Sequence, residues 1–274
     1  SLTDAGNTIT TLTATGAGAI DMGTADGLAL ATVNASATTG GFTFTGDAVT
    51  AASTRDDTTS SVDVADVTIT GGSGNDSITL AAYNAAIEYS VSSGAGDDTV
   101  VLGQDVKAST TTNSGHVING GAGTDTLSMT YDMSNSHATV TTISNFEELT
   151  VSDAITGAMD VTTDWQATGL TTVNLAAGSN AGTVNFATGG GTVDVEGTNA
   201  GAMTVAVAGS ATDDVVNINS VTSSTATASI DRFNNNAISV TGAETVNFST
   251  GSVGTAEEQD VSTFSVAAGN SLVV

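Results

Sequence analysis

The stretch ITGGSGNDSITL, Ile69–Leu80, sets four small residues and an Asp between two runs in which apolar and polar residues alternate. Alternation with period two marks a half-buried strand, and glycine supplies the positive φ that a tight turn needs. The stretch therefore reads strand, turn, strand. Its central nonapeptide, GGSGNDSIT (Gly71–Thr79), has two relatives, SGAGDDTVV (Ser93–Val101) and GGAGTDTLS (Gly120–Ser128). A fourth, AGSATDDVV (Ala208–Val216), is degraded, with Ala211 where the others carry glycine. The shared pattern is Gly-Gly-x-Gly-x-Asp-x-apolar-x, and such repetition is the signature of stacked repeat architectures.

The chemistry of the unit follows from its residue types. Consecutive glycines let backbone carbonyls turn toward a common centre, the Asp at the sixth position adds a carboxylate, and the apolar eighth position points back into a core. Ca²⁺ takes six to eight hard oxygens at about 2.3–2.6 Å in a flexible shell, whereas Mg²⁺ demands a tighter octahedron and keeps more water. Calcium is the expected ion. Asp76 and Asp98 lie 22 residues apart, and Asp98 and Asp125 27. A coil of two nonapeptides takes about 18 residues, and the segments YNAA and KASTTTNSG suit loop insertions of the surplus length. On this reading the three acids line one edge of successive coils, with ions between neighbouring loops.

The same local pattern recurs along the chain. GFTFTG, DVTITGG, TVVLG, TTVNLAAG, TVNFATGGG, TVDVEG, MTVAVAG and TVNFSTG are short β-branched alternating runs closed by Gly, Asn or Asp. AAYNAAIEY (Ala81–Tyr89) is the best short helical candidate, and FEEL (Phe146–Leu149) leads into the strand LTVSD. With 39% hydrophobic but only 4% aromatic residues, the core is expected to be thin and built of small side chains. The predicted fold is all-β, an elongated parallel β-roll or β-solenoid with calcium-binding nonapeptide turns. Residues 1–145 are expected to form the calcium-binding solenoid, and 146–274 to continue it or to form a second β domain with degenerate repeats.

Charge excludes several partners. There are 29 acidic residues against Lys107, Arg55 and Arg232, a formal net charge of −26. Such a surface repels nucleic acid and anionic lipid, whose recognition depends on Lys and Arg. Most of the acids are Asp, a turn former and a short, rigid oxygen ligand, which places them in loops. A mean hydropathy of +0.15 and the strong alternation favour a folded chain over a disordered one. The absence of Cys removes disulfides and thiolate metal sites. No apolar run reaches the length of a membrane span, so no membrane insertion is expected. SLTDAGNTIT, the first ten residues, shows neither the basic nor the apolar region of a cleavable signal, so export would use another signal or route.

The nonapeptides resemble the calcium-binding repeats of RTX (repeats-in-toxin) proteins, whose fold is a parallel β-roll and whose usual route out of Gram-negative cells is type I secretion. The close match covers the three copies, which here are separated by residues 80–92 and 102–119 instead of running back to back. More broadly, LATVNASATTGGFTFTG (Leu28–Gly46), ISNFEELTVSD (Ile143–Asp153), GLTTVNLAAGSNAGTVNF (Gly169–Phe186) and ISVTGAETVNFSTG (Ile238–Gly251) resemble segments of RTX-type surface-layer proteins such as that of Caulobacter. The resemblance implies calcium ligation by the carboxylates of Asp76, Asp98 and Asp125, with loop carbonyls around Gly71, Ser73, Gly94, Gly96, Gly121 and Gly123. Asp97 is an additional candidate. Ser93 in place of the first glycine is compatible with a turn, while Ala211 argues against a site in the fourth copy.

The remaining features point away from catalysis. There is no His-Glu-x-x-His helix, no Gly-x-Ser-x-Gly elbow and no Gly-Lys-Ser/Thr phosphate loop. Glu147 and Glu148 are adjacent, and neighbours on a strand face opposite sides, so they do not flank one glycosidic bond. His116 and His137 carry no zinc-ligand signature, Trp165 reads as a core anchor, and RDDTTSSVDVAD (Arg55–Asp66) as an acidic loop. No enzyme is expected. The expected function is a structural, calcium-dependent surface-layer or extracellular-matrix subunit that self-associates into a lattice outside the cell, with cell-surface polysaccharide as a candidate partner. The alternatives are an RTX adhesin or the non-catalytic export and folding module of a larger secreted protein. An ice-binding solenoid is disfavoured because Thr-x-Thr pairs do not recur at a constant coil period.

Overall fold

The computed structural model describes residues 2–3, 9–26, 30–46, 67–80, 89–103, 117–134, 142–161, 169–209, 211–221, 231–250, 261–266 and 271–273. Among these, strands dominate, and the one helix is a single turn, Tyr131–Ser134. Among the described residues no helix is long and apolar enough to cross a membrane. The chain divides into two compact units, Ser1–Glu147 and Glu148–Val274.

In the first unit the chain shuttles between two parallel sheets. One contains Leu2–Thr3, Ile20–Asp26, Phe42–Gly46, Ser77–Leu80, Thr99–Leu102 and Thr126–Met129 in that order. The other contains Thr11–Gly16, Thr32–Thr38, Val67–Thr70, Tyr89–Ser92, Val117–Asn119 and Thr142–Ser144. Parallel neighbours need a long crossover, and here each crossover is the other half of the coil. This is the expected β-roll.

The second unit repeats the scheme. Glu148–Val151, Thr172–Leu175, Gly190–Val195, Val215–Ser220, Thr245–Ser249 and Ser271–Val273 form one parallel sheet. Ala158–Asp160, Thr183–Phe186, Met203–Val207, Asn236–Thr241 and Val261–Val266 form its partner. All eight alternating runs read from the sequence fall on strands, and FEEL does lead into one, Glu148–Val151.

Alternation places every second side chain inside, where in-register pairing stacks it on its equivalent in the next coil. Ile78, Val100 and Leu127 form such a row and are at most 1% exposed. Leu149, Val173 and Val193 form another in the second unit. Each such buried aliphatic contributes about 1.5–3 kcal/mol. Few aromatics are needed; Phe42 stacks on Phe44 at 6.2 Å between centroids, and Phe233, Phe248 and Phe264 form a chain with 5.2 Å and 5.1 Å separations.

The outward residues align just as strictly. Thr43, Ser77, Thr99 and Thr126 form one row, and Thr45, Thr79, Val101 and Ser128 the next. Register is set by strand pairing, so unequal coil lengths do not disrupt it, contrary to the constant period that the sequence argument required. YNAA, KASTTTNSG, RDDTTSSVDVAD, His116, His137, Trp165 and all of AAYNAAIEY except Tyr89 lie outside the described residues; Tyr89 begins a strand.

Candidate metal centre

The corner that carries the nonapeptides joins Val67–Thr70 to Ser77–Leu80, Tyr89–Ser92 to Thr99–Leu102, and Val117–Asn119 to Thr126–Met129. Stacking brings the glycines into close contact. Gly94, Gly96, Gly121 and Gly123 all have positive φ. A Cβ on Gly121 would be driven into the Gly94 carbonyl oxygen, and one on Gly123 into that of Gly96. The backbones are tied by Ala95 N–H to Gly72 C=O at 3.0 Å and Ala122 N–H to Gly94 C=O at 3.0 Å.

This corner brings Asp76, Asp98 and Asp125 together in one line, as their spacing predicts. They are 2%, 1% and 0% exposed. Each Oδ1 accepts the backbone N–H of the residue in line on the preceding coil: Asp76 from Phe42 at 2.8 Å, Asp98 from Asp76 at 2.7 Å, and Asp125 from Asp98 at 2.8 Å. Glu147 Oε2 ends the series by accepting Asp125 N–H at 2.8 Å. The result is a ladder of side-chain carboxylates through the buried corner.

The second oxygens differ. Asp76 Oδ2 accepts Gly72 N–H at 2.6 Å, but Asp98 Oδ2 and Asp125 Oδ2 are buried without a hydrogen-bond partner. A buried ionised oxygen left bare is costly and calls for a proton or a cation. Desolvation raises the carboxyl of Asp98 to about 7; the Asp76 N–H opposes this, and the charges of Asp76, Asp125 and Asp97 reinforce it. Burial also raises Asp76, against the N–H groups of Gly72 and Phe42. Asp125 is raised by burial, with the Asp98 N–H opposing and Glu147 and Asp97 adding repulsion.

These residues fit a hard cation. Two unpartnered carboxylate oxygens face a corner with little side-chain bulk; a Cβ at Gly120 would stand 2.9 Å from Asp125 Oδ2. Among the described residues no three or more His, Cys, Asp or Glu side chains converge as a metal-binding group. The rest of a shell would thus come from carbonyls and water, a mixture suited to calcium. Gly94 C=O already spends one lone pair on Ala122 N–H. Asp97 stands apart from the buried line: it is exposed, its N–H bonds Asn75 Oδ1 at 3.0 Å, and its Oδ1 accepts Thr124 N–H at 2.9 Å.

The sequence reading missed the terminating role of Glu147 and the residue Asp214. In the fourth copy the motif register places Asp213 at the sixth position, but strand pairing puts Asp214 in line: Val216 is the buried residue two further on, as Ile78 is after Asp76. Asp213 is exposed and Asp214 is 1% exposed. Glu148, next to Glu147, belongs to the second unit, where burial, followed by Asp194 and Glu196, raises its carboxyl.

With the carboxyl of Asp98 raised to about 7, a cation held at this corner predicts opposite pH profiles with and without metal. An acid whose folded pKa lies above its unfolded value is protonated preferentially in the folded state, so acidification stabilises the fold between the two values. In chelator, the urea midpoint is expected to rise as pH falls from 8 toward 5. In calcium it should fall over the same range, because protons displace the ion. Asp98→Asn keeps the Oδ1 acceptor for Asp76 N–H and should flatten both slopes; parallel slopes in the two media would rule out competition between proton and cation.

The fold and corner define the chain as a parallel β-solenoid with a buried carboxylate ladder. No protein-family model matches it, and no characterised protein or solved structure is significantly similar to it.

Proposed function

We propose that the chain is a calcium-dependent structural subunit of an extracellular coat, a surface layer or matrix, which self-assembles outside a Gram-negative cell after type I secretion. The observation that carries the reading is the corner ladder with bare oxygens at Asp98 and Asp125. Where calcium is scarce, crowded carboxylates oppose stacking and the chain stays unfolded for export. Millimolar calcium outside the cell would then stabilise the folded state by mass action. Asp76, Asp98 and Asp125, with corner carbonyls, would hold the ion between coils, and calcium supplies the positive charge that a chain of net charge −26 lacks. Cell-surface polysaccharide is the proposed attachment partner, and no catalytic step enters the reading. The hydroxyl rows of the first unit are not read as an ice-binding face, since Val101 interrupts the second row.

Negative-stain electron microscopy in millimolar calcium tests the proposal. Ordered sheets or tubes that vanish on chelation are expected. Monodisperse particles in calcium at high protein concentration would remove the lattice and favour an adhesin or folding module.

A further inference from the structure

The degraded fourth copy of the repeat lies at a corner of the second unit where Asp214, and not the sixth-position Asp213, is buried. Asp214 lies between Met203–Val207 and Val215–Ser220 and is 1% exposed. Its Oδ1 accepts Gly189 N–H, its own N–H donates to Glu244 Oε2 at 2.9 Å, and its Oδ2 is buried with no hydrogen-bond partner. Asp125 shows the same three features: Oδ1 accepts Asp98 N–H, the N–H donates to Glu147 Oε2, and Oδ2 is bare. Asp125 belongs to a close copy of the repeat and Asp214 to the degraded copy, one residue past the motif's sixth position, yet both present the same half-open acidic corner.

We propose that the second unit has its own hard-cation site, built on the free oxygen of Asp214 with Glu244 beside it and completed by corner carbonyls and water. A fully buried carboxylate oxygen with no donor calls for a proton or a cation, and hard oxygen donors in a chain without cysteine suit a calcium-like ion among cations. The choice of calcium over another hard cation rests on the reading of the first unit; the existence of the site rests on Asp214 alone. Residues 148–274 thereby respond to the ion in their own right, despite the degraded repeat.

Hydrogen exchange read by mass spectrometry on the whole chain, in chelator and in calcium, tests this. With calcium about 100 times above its Kd, peptides spanning 183–195 and 211–221 should exchange about 100-fold more slowly through global opening than in chelator. Asp214→Asn should abolish that difference in those peptides while peptides spanning 71–102 keep theirs, and equilibrium dialysis should count fewer bound ions. A purely structural Asp214 would instead change exchange equally in both media, which would overturn the site. Glu244→Gln serves if Asp214→Asn fails to fold, and the wild-type comparison alone is decisive if neither does. Calcium protection confined to the first unit overturns this inference and leaves the proposed function standing; protection in neither unit overturns both.

Discussion

Chelation at pH 8 is expected to shift the urea midpoint of the first unit downward by roughly 1–4 M, the largest effect of any single change of condition. An ion that binds only the folded state stabilises it by about 2.7 kcal/mol at 100 times its Kd and about 4.1 at 1,000 times. Dividing by a urea dependence of roughly 1–3 kcal/mol per molar gives the shift. If an ion sits at the corner, removing it would leave Asp98 Oδ2 and Asp125 Oδ2 bare where burial already opposes their ionisation. Circular dichroism across a urea series, with calcium buffered at several free concentrations, is the measurement. The midpoint should climb with the logarithm of free calcium. A midpoint indifferent to the ion would mean that protons alone neutralise the ladder.

Gly121→Ala should cost about 2–6 kcal/mol, the sum of two separable terms. Gly121 has φ +108, where an L side chain is strained by about 1–3 kcal/mol. Its new methyl would also be forced into the Gly94 carbonyl, an overpacking cost of about 1–3 kcal/mol. Gly189 provides the control: φ is +104, but a Cβ there meets nothing within 4 Å. Gly189→Ala should therefore show the strain alone, on the order of 1–3 kcal/mol. Hydrogen exchange in each unit gives both values separately. Equal costs at the two positions would show that the coils of the first unit do not approach as closely at the corner as their glycines suggest.

The strands and the acidic line were legible because both are local. An alternating run such as VTIT or TVVL declares its buried face without reference to the rest of the chain, and Gly-Gly-x-Gly-x-Asp fixes where the carboxylate stands relative to the next strand. The ends of the ladder were not legible. Glu147 and Glu244 match no motif, and their role follows only from register: Glu147 is in line with Asp125, and Glu244 with Asp214. One residue decides whether Asp213 or Asp214 turns inward, and two adjacent acids cannot reveal that choice before Val215 is paired with Thr245. The same dependence hid Ser179 and Asn199, which lie 20 residues apart yet join through Ser179 N–H and Asn199 Oδ1 at 2.8 Å. It also hid the hydroxyl rows, whose alignment requires knowing which residues loop out.

The ladder has a direction along the chain. Asp76 serves the amide of Phe42, Asp98 that of Asp76, Asp125 that of Asp98, and Glu147 that of Asp125. Every one of these amides is completed by a residue that comes later in the sequence. In time rather than space, a corner made early waits unfinished until its successor arrives. A polypeptide entering the medium with its N-terminus ahead would hold a series of open corners, and the closing glutamate would be the template from which order spreads backward.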